Sequence, residues 1–256
     1  MTKNNKQDLP IKSPATMLEV LQELQDRKGA GITELAESLD ISKSTVHNHL
    51  TVLRKYEYVK KDGDTYELGL RFLDHAGHAL ERREGYDEIK QKVSAAAAQT
   101  GELCQYLVED HGRGIFIIRE AGQQAVETRT RLGTRAYLHH VTSGKTVLAH
   151  MSDATVEEII NRHGLPPKTH QTITTREDLF EELDHIREQG YAYDKAEHVR
   201  GLHAIAVPVR INRDQLLGSM SVAGPSHRIN DKSEDIIQLL QGLASELELN
   251  LSYGSE

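Results

Sequence analysis

Cysteine is almost absent from this chain. Among 256 residues only Cys104 occurs, so no intrachain disulfide can form, and its place in the strand-like run ELCQYLVE suits a small buried side chain rather than a redox centre. Proline is sparse at six residues and glycine moderate at 19, which argues against long disordered or low-complexity tracts. Long apolar runs are missing too. The longest, near Ala204–Val209, holds about six residues and is far too short to cross a bilayer. The opening segment MTKNNKQDLPIK has no apolar core of signal-peptide type, so a cytoplasmic protein with no membrane partner is expected.

An apolar fraction of 38% and a charged fraction of 27% describe a globular chain, and the length suits two unequal domains. The net charge of −8 is unevenly spread. Residues 1–70 carry ten Lys and Arg against eleven Asp and Glu, a net of −1 that leaves −7 for the remainder. Within that first part, residues 41–61 hold Lys43, Arg54, Lys55, Lys60 and Lys61 against Glu57 alone, a local +4. Such a patch, unlike the overall figure, bears on nucleic-acid binding.

The pattern opens with Ser13-Pro14 as a helix start, Ser13 as the expected N-cap, followed by an apolar stripe of Met17, Leu18, Leu21 and Leu24. A second helix is expected from Thr33, with Ile32, Leu35, Ala36 and Leu39 at core spacing. After the break Asp40-Ile41-Ser42, Ser42 caps a third helix whose Val46, Leu50 and Leu53 fall on one buried side. A 100° advance per residue places Ser44, Thr45, Asn48, Thr51 and Lys55 opposite them. The run YVKKDGDTYELG then reads as two strands joined by Asp62-Gly63, a pair that accepts a tight hairpin. Three helices and a hairpin make a winged helix-turn-helix over residues 11–69. The following run LRFLDHAGHALERREG, with Leu73, Ala76, Gly77 and Leu80 on one stripe, reads as a linker helix over residues 70–85.

From Tyr86 to about residue 252 helices and strands alternate. YDEIKQKVSAAAAQTG is helical, while ELCQYLVED, IFIIREA and QAVETRTRL read as strands. Helices starting near Ser143, Asp153 and Thr175 follow, then the strands LHAIAVPVRI and LLGSMSVAG. A final helix carries Ile236, Leu240, Leu243, Ala244 and Leu247 on one face. The fold class is therefore α+β with a largely antiparallel sheet.

The third helix carries the chemistry of a groove-reading element. Its small-residue start (Ser42, Ser44, Thr45) permits close approach to phosphates, and Asn48 matches the N6/N7 edge of adenine. Lys43, His47, Thr51 and Lys55 complete the candidate DNA face, and Lys60 and Lys61 of the wing are placed toward the flanking backbone. The bland alternative is a solvated amphipathic helix, but helix count, turn and wing agree on double-stranded DNA.

ITELAESLDISKSTVHNHLTVL followed by YELGLRFL resembles the IclR (isocitrate lyase regulator) family of transcription factors, as do RLGTRAYLHHVTSGKTVLA, IREQGYAYDKAEHVRGLHAIAVPV and SMSVAGPSHRI further on. The resemblance covers about Ser13 to Leu251 and is greatest to members from salt-adapted archaea. It implies a winged helix joined to a GAF-like effector-binding domain (86–252), homodimers or tetramers built as dimers of dimers, and palindromic operators. It also implies an effector site at the turn Thr142, Ser143, Gly144, at Asp194, and at the strand positions Leu202, Ala204, Ser221 and Ala223. Ala204 and Ala223 stand where Cys and a second Ser occur in relatives, which implies a less polar ligand wall. The effectors implied are organic acids, aromatics or sugar-derived metabolites.

Four other readings compete. Gly144-Lys145-Thr146 looks like the end of a P-loop, but the Gly required five residues earlier is His139. The same residues suit a helix N-terminus with Thr142 or Ser143 as cap and free N–H groups for a carboxylate or hydroxyl. Fourteen histidines raise the question of metal, yet none forms a tight ligand pattern with Cys, and the adjacent His139 and His140 are expected on opposite sides of a strand. No nucleophile, base and orienting acid share a defensible spacing, so neither catalysis nor a cofactor is expected. An architectural DNA binder with a vestigial pocket remains the other alternative.

Overall fold

Helix α1 spans Lys12–Arg27 and begins one residue before the expected cap: Ile11, in extended conformation and without a side-chain cap, precedes it. Pro14 is tolerated because it lies in the first turn, where N–H groups have no intrahelical acceptor. Lys28 ends the helix with a left-handed φ of 60°. Helix α2 (Ile32–Leu39) starts with the Glu34 carboxylate accepting from Gly31 N at 2.8 Å, and Asp40, φ 55°, stops it. Helix α3 (Lys43–Lys55) is capped by Ser42, whose Oγ accepts from Thr45 N at 3.1 Å. Val46, Leu50 and Leu53 of α3 join Val20, Leu24, Leu35, Val59 and Tyr66 in one core. Each such fully buried aliphatic side chain contributes about 1.5–3 kcal/mol relative to exposure. Strands β1 (Val59–Asp62) and β2 (Thr65–Leu68) pair antiparallel around Gly63, whose φ of 56° suits the tight turn. Helix α4 (Phe72–Glu81) follows, and none of its residues is buried. Tyr56, which ends α3, is 58% exposed.

The computed structural model describes residues 10–127, 130–212 and 215–253, and it divides into two units that meet in sequence at Arg82 and Arg83. In the second unit, helix α5 (Tyr86–Thr100) leads into β3 (Leu103–Asp110) and β4 (Arg113–Ala121). Then come β5 (Arg135–Tyr137), a 3-10 turn at Leu138–His140, and helices α6 (Thr142–Ala149), α7 (Asp153–His163) and α8 (Arg176–Gln189). The chain continues through β6 (Ala192–Lys195), β7 (Leu202–Ile211), β8 (Gln215–Pro225), α9 (Ser226–Asp231) and α10 (Ser233–Tyr253). The six strands form one sheet in the order β5-β4-β3-β8-β7-β6, with every pairing antiparallel. Helices α5 and α10 pack together and against the sheet. Helix α6 packs on β3, β6, β7 and β8, with α8 against it.

Three expectations need correction here. QAVETRTRL is no strand: Thr128 and Arg129 lie outside the described residues, and the rest of that stretch is irregular. Gln124 N donates to Gly101 O, and Arg228 donates to Gln124 O, so this backbone bonds to loop and helix instead of a ladder. The strand falls at β5, opposite Arg113–Ile115. Asp194, in a stretch where the sequence suggests no strand, lies on β6, an edge strand of four residues that is too short to show a period. His139 and His140 sit in the 3-10 turn, where both ring Nε2 atoms approach Pro166 O, at 3.1 and 2.7 Å. The outer strands are short, and β6 pairs with β7 only at residues 203–206. Pro208 therefore lies beyond β6, where β7 has β8 as its strand partner.

Candidate DNA face and effector cavity

The polar side of α3 is open. Ser42, Lys43, Ser44, His47, Asn48, Thr51 and Lys55 are exposed, and Thr45 is half-buried. The Ser42 hydroxyl lies 2.8 Å from those of both Ser44 and Thr45, so these three hydroxyls form one cluster at the helix start. Lys43, His47, Asn48, Thr51 and Lys55 are exposed outside that cluster. The two wing lysines behave differently from each other. Successive strand residues point to opposite faces. Lys61 lies over the Tyr66 ring, 5.5 Å from its centroid, and Lys60 ion-pairs with Glu67 at 2.9 Å. Sequence reasoning did not foresee that Glu67, cross-strand from Lys60, competes for it.

In the second unit the antiparallel register assembles a cavity. Asp194 lies opposite Ala204, Ala204 opposite Ala223, Ala223 opposite Leu103, and Ser221 opposite Gln105. Side chains in such rows share one face of the sheet. Thr142 and Ser143, at the first turn of α6, face this surface, and the cavity between them measures about 60 Å³. Thr142, Ser143, Asp194, Leu202, Ala204, Ser221 and Ala223 all line it. Gly144 does not. A Cβ there would stand 2.2 Å from Leu138 O, so this glycine serves the close approach of α6 to the 3-10 turn. Neither Thr142 nor Ser143 caps α6: Val141 precedes the helix without a side-chain cap, and the Thr142 hydroxyl bonds to the Asp194 carboxylate instead.

Asp194 is buried and engaged. Its Oδ1 accepts from Glu197 N at 2.6 Å, and His198 N also donates to the carboxylate. Burial raises its pKa, while these bonds and the nearby Lys145 oppose the rise. Behind it lies an ion cluster. Lys145, 1% exposed, donates to Glu182 Oε1 and Glu197 Oε1, each at 2.7 Å. Burial alone would lower the Lys145 pKa, but the carboxylates of Glu197 and Glu182 outweigh it and the ammonium is held. One cation serves three acids, and the Glu197 carboxyl is pushed up to about 7, first by burial and further by Asp194 and Glu182. The residue that tempted a P-loop interpretation is thus a structural ion.

Gln105, Phe116, His198 and His203 also line the cavity and were not assigned to it from sequence. A lone Gln inside the apolar run LCQYLV was the available signal for the first. Among the described residues no three His, Cys, Asp or Glu gather as a metal site.

A winged helix with an open polar recognition face, followed by a sheet domain enclosing a small cavity, defines a DNA-binding transcriptional regulator with an effector-binding domain. Residues 14–61 match the family described as "Bacterial regulatory protein, arsR family", and residues 77–249 match "Bacterial transcriptional regulator IclR C-terminal". The chain belongs to the IclR family, a family of transcriptional regulators rather than enzymes. It is 27% identical over 254 residues to the probable HTH-type transcriptional regulator ArcR of Halobacterium salinarum, with 97% of each chain covered. The crystal structure of the Thermotoga maritima IclR superposes with a TM-score of 0.78 at 26% identity, covering 94% of this chain and 99% of that one. An IclR homolog from Microbacterium hydrocarbonoxydans, solved in complex with 4-hydroxybenzoate, shares the fold with a TM-score of 0.80 at 22% identity, over 93% and 98% of the two chains. Among the described residues no helix is long and apolar enough to cross a membrane.

Proposed function

We propose that the protein is a ligand-responsive regulator that binds a palindromic operator as a homodimer, or as a pair of dimers, and senses a small metabolite in the cavity of its second unit. The observation that carries this reading is the cavity itself. Residues from α6, β6, β7 and β8, far apart in sequence, converge on one space lined with apolar walls and a few polar groups. That a fold relative was solved with 4-hydroxybenzoate supports a small organic ligand. A local +4 offers few phosphate contacts per winged helix, which favours pairing of the module through effective concentration. Residues 70–85 would act as the linker through which effector occupancy biases the two winged helices.

The test joins footprinting to calorimetry. Protected DNA should show inverted half-sites, and metabolites of the adjoining pathway should include one that alters operator affinity. Linkage requires that operator alter the affinity for that metabolite by the same factor. Protection of one asymmetric half-site by a monomer, or identical metabolite affinities with and without operator, would overturn the reading.

A further inference from the structure

We propose that Gln105 and His198 form a pair of hydrogen-bond donors that selects acceptor-bearing effectors, with Lys168 as the positioning residue that aims His198. This rests on the cavity being the effector site. Gln105 stands on β3 opposite Ser221, is 6% exposed, and its Nε2 has no hydrogen-bond partner among the described residues. That nitrogen carries two N–H donors, and a buried donor without a partner is costly to the empty protein.

His198 lies in the same wall, on the segment after β6. Its Nε2 is 3.2 Å from Lys168 Nζ. An ammonium only donates, so Nε2 accepts, and in a neutral ring the proton then sits on Nδ1. The ring is neutral: burial first, then the charge of Lys168 and the neighbouring His140, push its pKa down to about 4. Nδ1 is buried and has no partner among the described residues. Lys168 itself does not line the cavity, so its effect on a ligand passes through His198.

Elsewhere in the wall the polar groups are engaged or adaptable: His203 Nδ1 lies 2.8 Å from Asn230 Oδ1. Asp194 already accepts from Glu197 N, His198 N and Thr142. Leu103, Phe116, Val141, Leu202, Ala204 and Ala223 are apolar. Ser143 and Ser221 hydroxyls rotate to donate or accept and so discriminate little. A ligand with carbonyl or carboxylate oxygens at both places satisfies both donors, whereas one presenting N–H groups there opposes donor to donor, and rejection follows from that mismatch.

The experiment uses the full-length protein, uniformly labelled with nitrogen-15, so that nuclear magnetic resonance reads histidine rings, side-chain amides and the backbone amides of Ser143 and Ser221. The probes are acetate and acetamidinium, which share a planar shape but carry only acceptors and only donors respectively. Ring nitrogen shifts should report the Nδ1–H tautomer for His198. Lys168→Met should shift it toward the Nε2–H form, and Lys168→Arg should restore it. Acetate should perturb the Gln105 amide and the His198 ring and saturate, and acetamidinium should not. Gln105→Met and His198→Phe should each weaken acetate binding about tenfold, the scale of one hydrogen bond to a charged group. An unchanged melting temperature confirms that each variant is folded. An Nε2–H ring in the unaltered protein, or equal response to both probes, overturns the proposal. If acetate perturbs Ser143 and Ser221 but neither donor, the donor assignment falls and the effector cavity stands. If neither probe nor any screened metabolite reaches the cavity, the effector reading falls with it.

Discussion

Lys145 Nζ and Glu197 Oε1 lie 2.7 Å apart, and Lys145 lies on α6 while Glu197 follows β6, so the pair ties the start of one helix to the segment beyond an edge strand. Removing one member of such a buried pair leaves the other uncompensated. Lys145→Met is expected to destabilise the second unit by about 3–5 kcal/mol. Adding Glu182→Gln and Glu197→Gln should recover most of that loss, because the orphaned charges go with it. Denaturant unfolding of the three proteins measures this, and equal stability of Lys145→Met and the unaltered protein would refute a structural role for the cluster.

Acid should weaken the second unit through its buried histidines. Burial, before any charge effect, pushes both His139 and His198 down to about 4. The folded state therefore refuses protons that the unfolded chain accepts near the ordinary histidine value of about 6.5. For a base depressed on folding, stability is full above about 6.5 and falls as pH drops toward 4. After allowing for solvent screening, a loss on the order of 1 kcal/mol per ring is expected by pH 5. Thermal melts between pH 7.5 and 5 should show it, and His139→Asn should reduce the slope.

Gly144→Ala should damage the effector site without touching any ligand. Its Cβ would meet Leu138 O at 2.2 Å and Leu138 Cα at 2.7 Å, both backbone atoms that cannot swing aside. Overpacking of this kind costs about 1–3 kcal/mol. A lowered melting temperature with weaker effector binding is expected, and operator affinity in the absence of effector should stay within about twofold, the scale of a few tenths of a kcal/mol.

At the DNA face, Asn48→Ala should cost about 1–3 kcal/mol on the cognate operator and little on random sequence. Equal loss on both would remove its role in base reading. Glu67→Gln tests the wing. It releases Lys60 from an exposed ion pair and removes a negative charge from the wing. Binding to all sequences should strengthen, and the salt dependence should steepen by about one unit of slope for each further phosphate that the freed lysine neutralises.

The winged helix could be read almost whole from sequence because its signals are local: a cap at Ser42, a stripe at Val46, Leu50 and Leu53, a turn at Gly63. The cavity residues on β7 and β8 were named through family resemblance, and long strands made their placement plain. What escaped depends on pairing across the sheet. Gln105 reaches the site only because β3 lies beside β8, a neighbour more than a hundred residues later in the chain. Thr142 would cap its helix by local rules, yet the Asp194 carboxylate claims its hydroxyl. The strand misplaced onto QAVETRTRL failed for the same reason: three residues of β5 pair with β4 through contacts that no local pattern announces.

Pro208 bears on what the open part of the β7 edge can accept. A β-strand with a free edge invites another strand to add to it, and the upper half of β7 lacks the shelter of β6. A proline there withholds one donor from any intruding ladder. Strand addition along this part of β7 is thereby opposed. Pro208→Val would reopen that edge, and slow β-rich aggregation at high concentration, absent from the unaltered chain, is the mark it should leave.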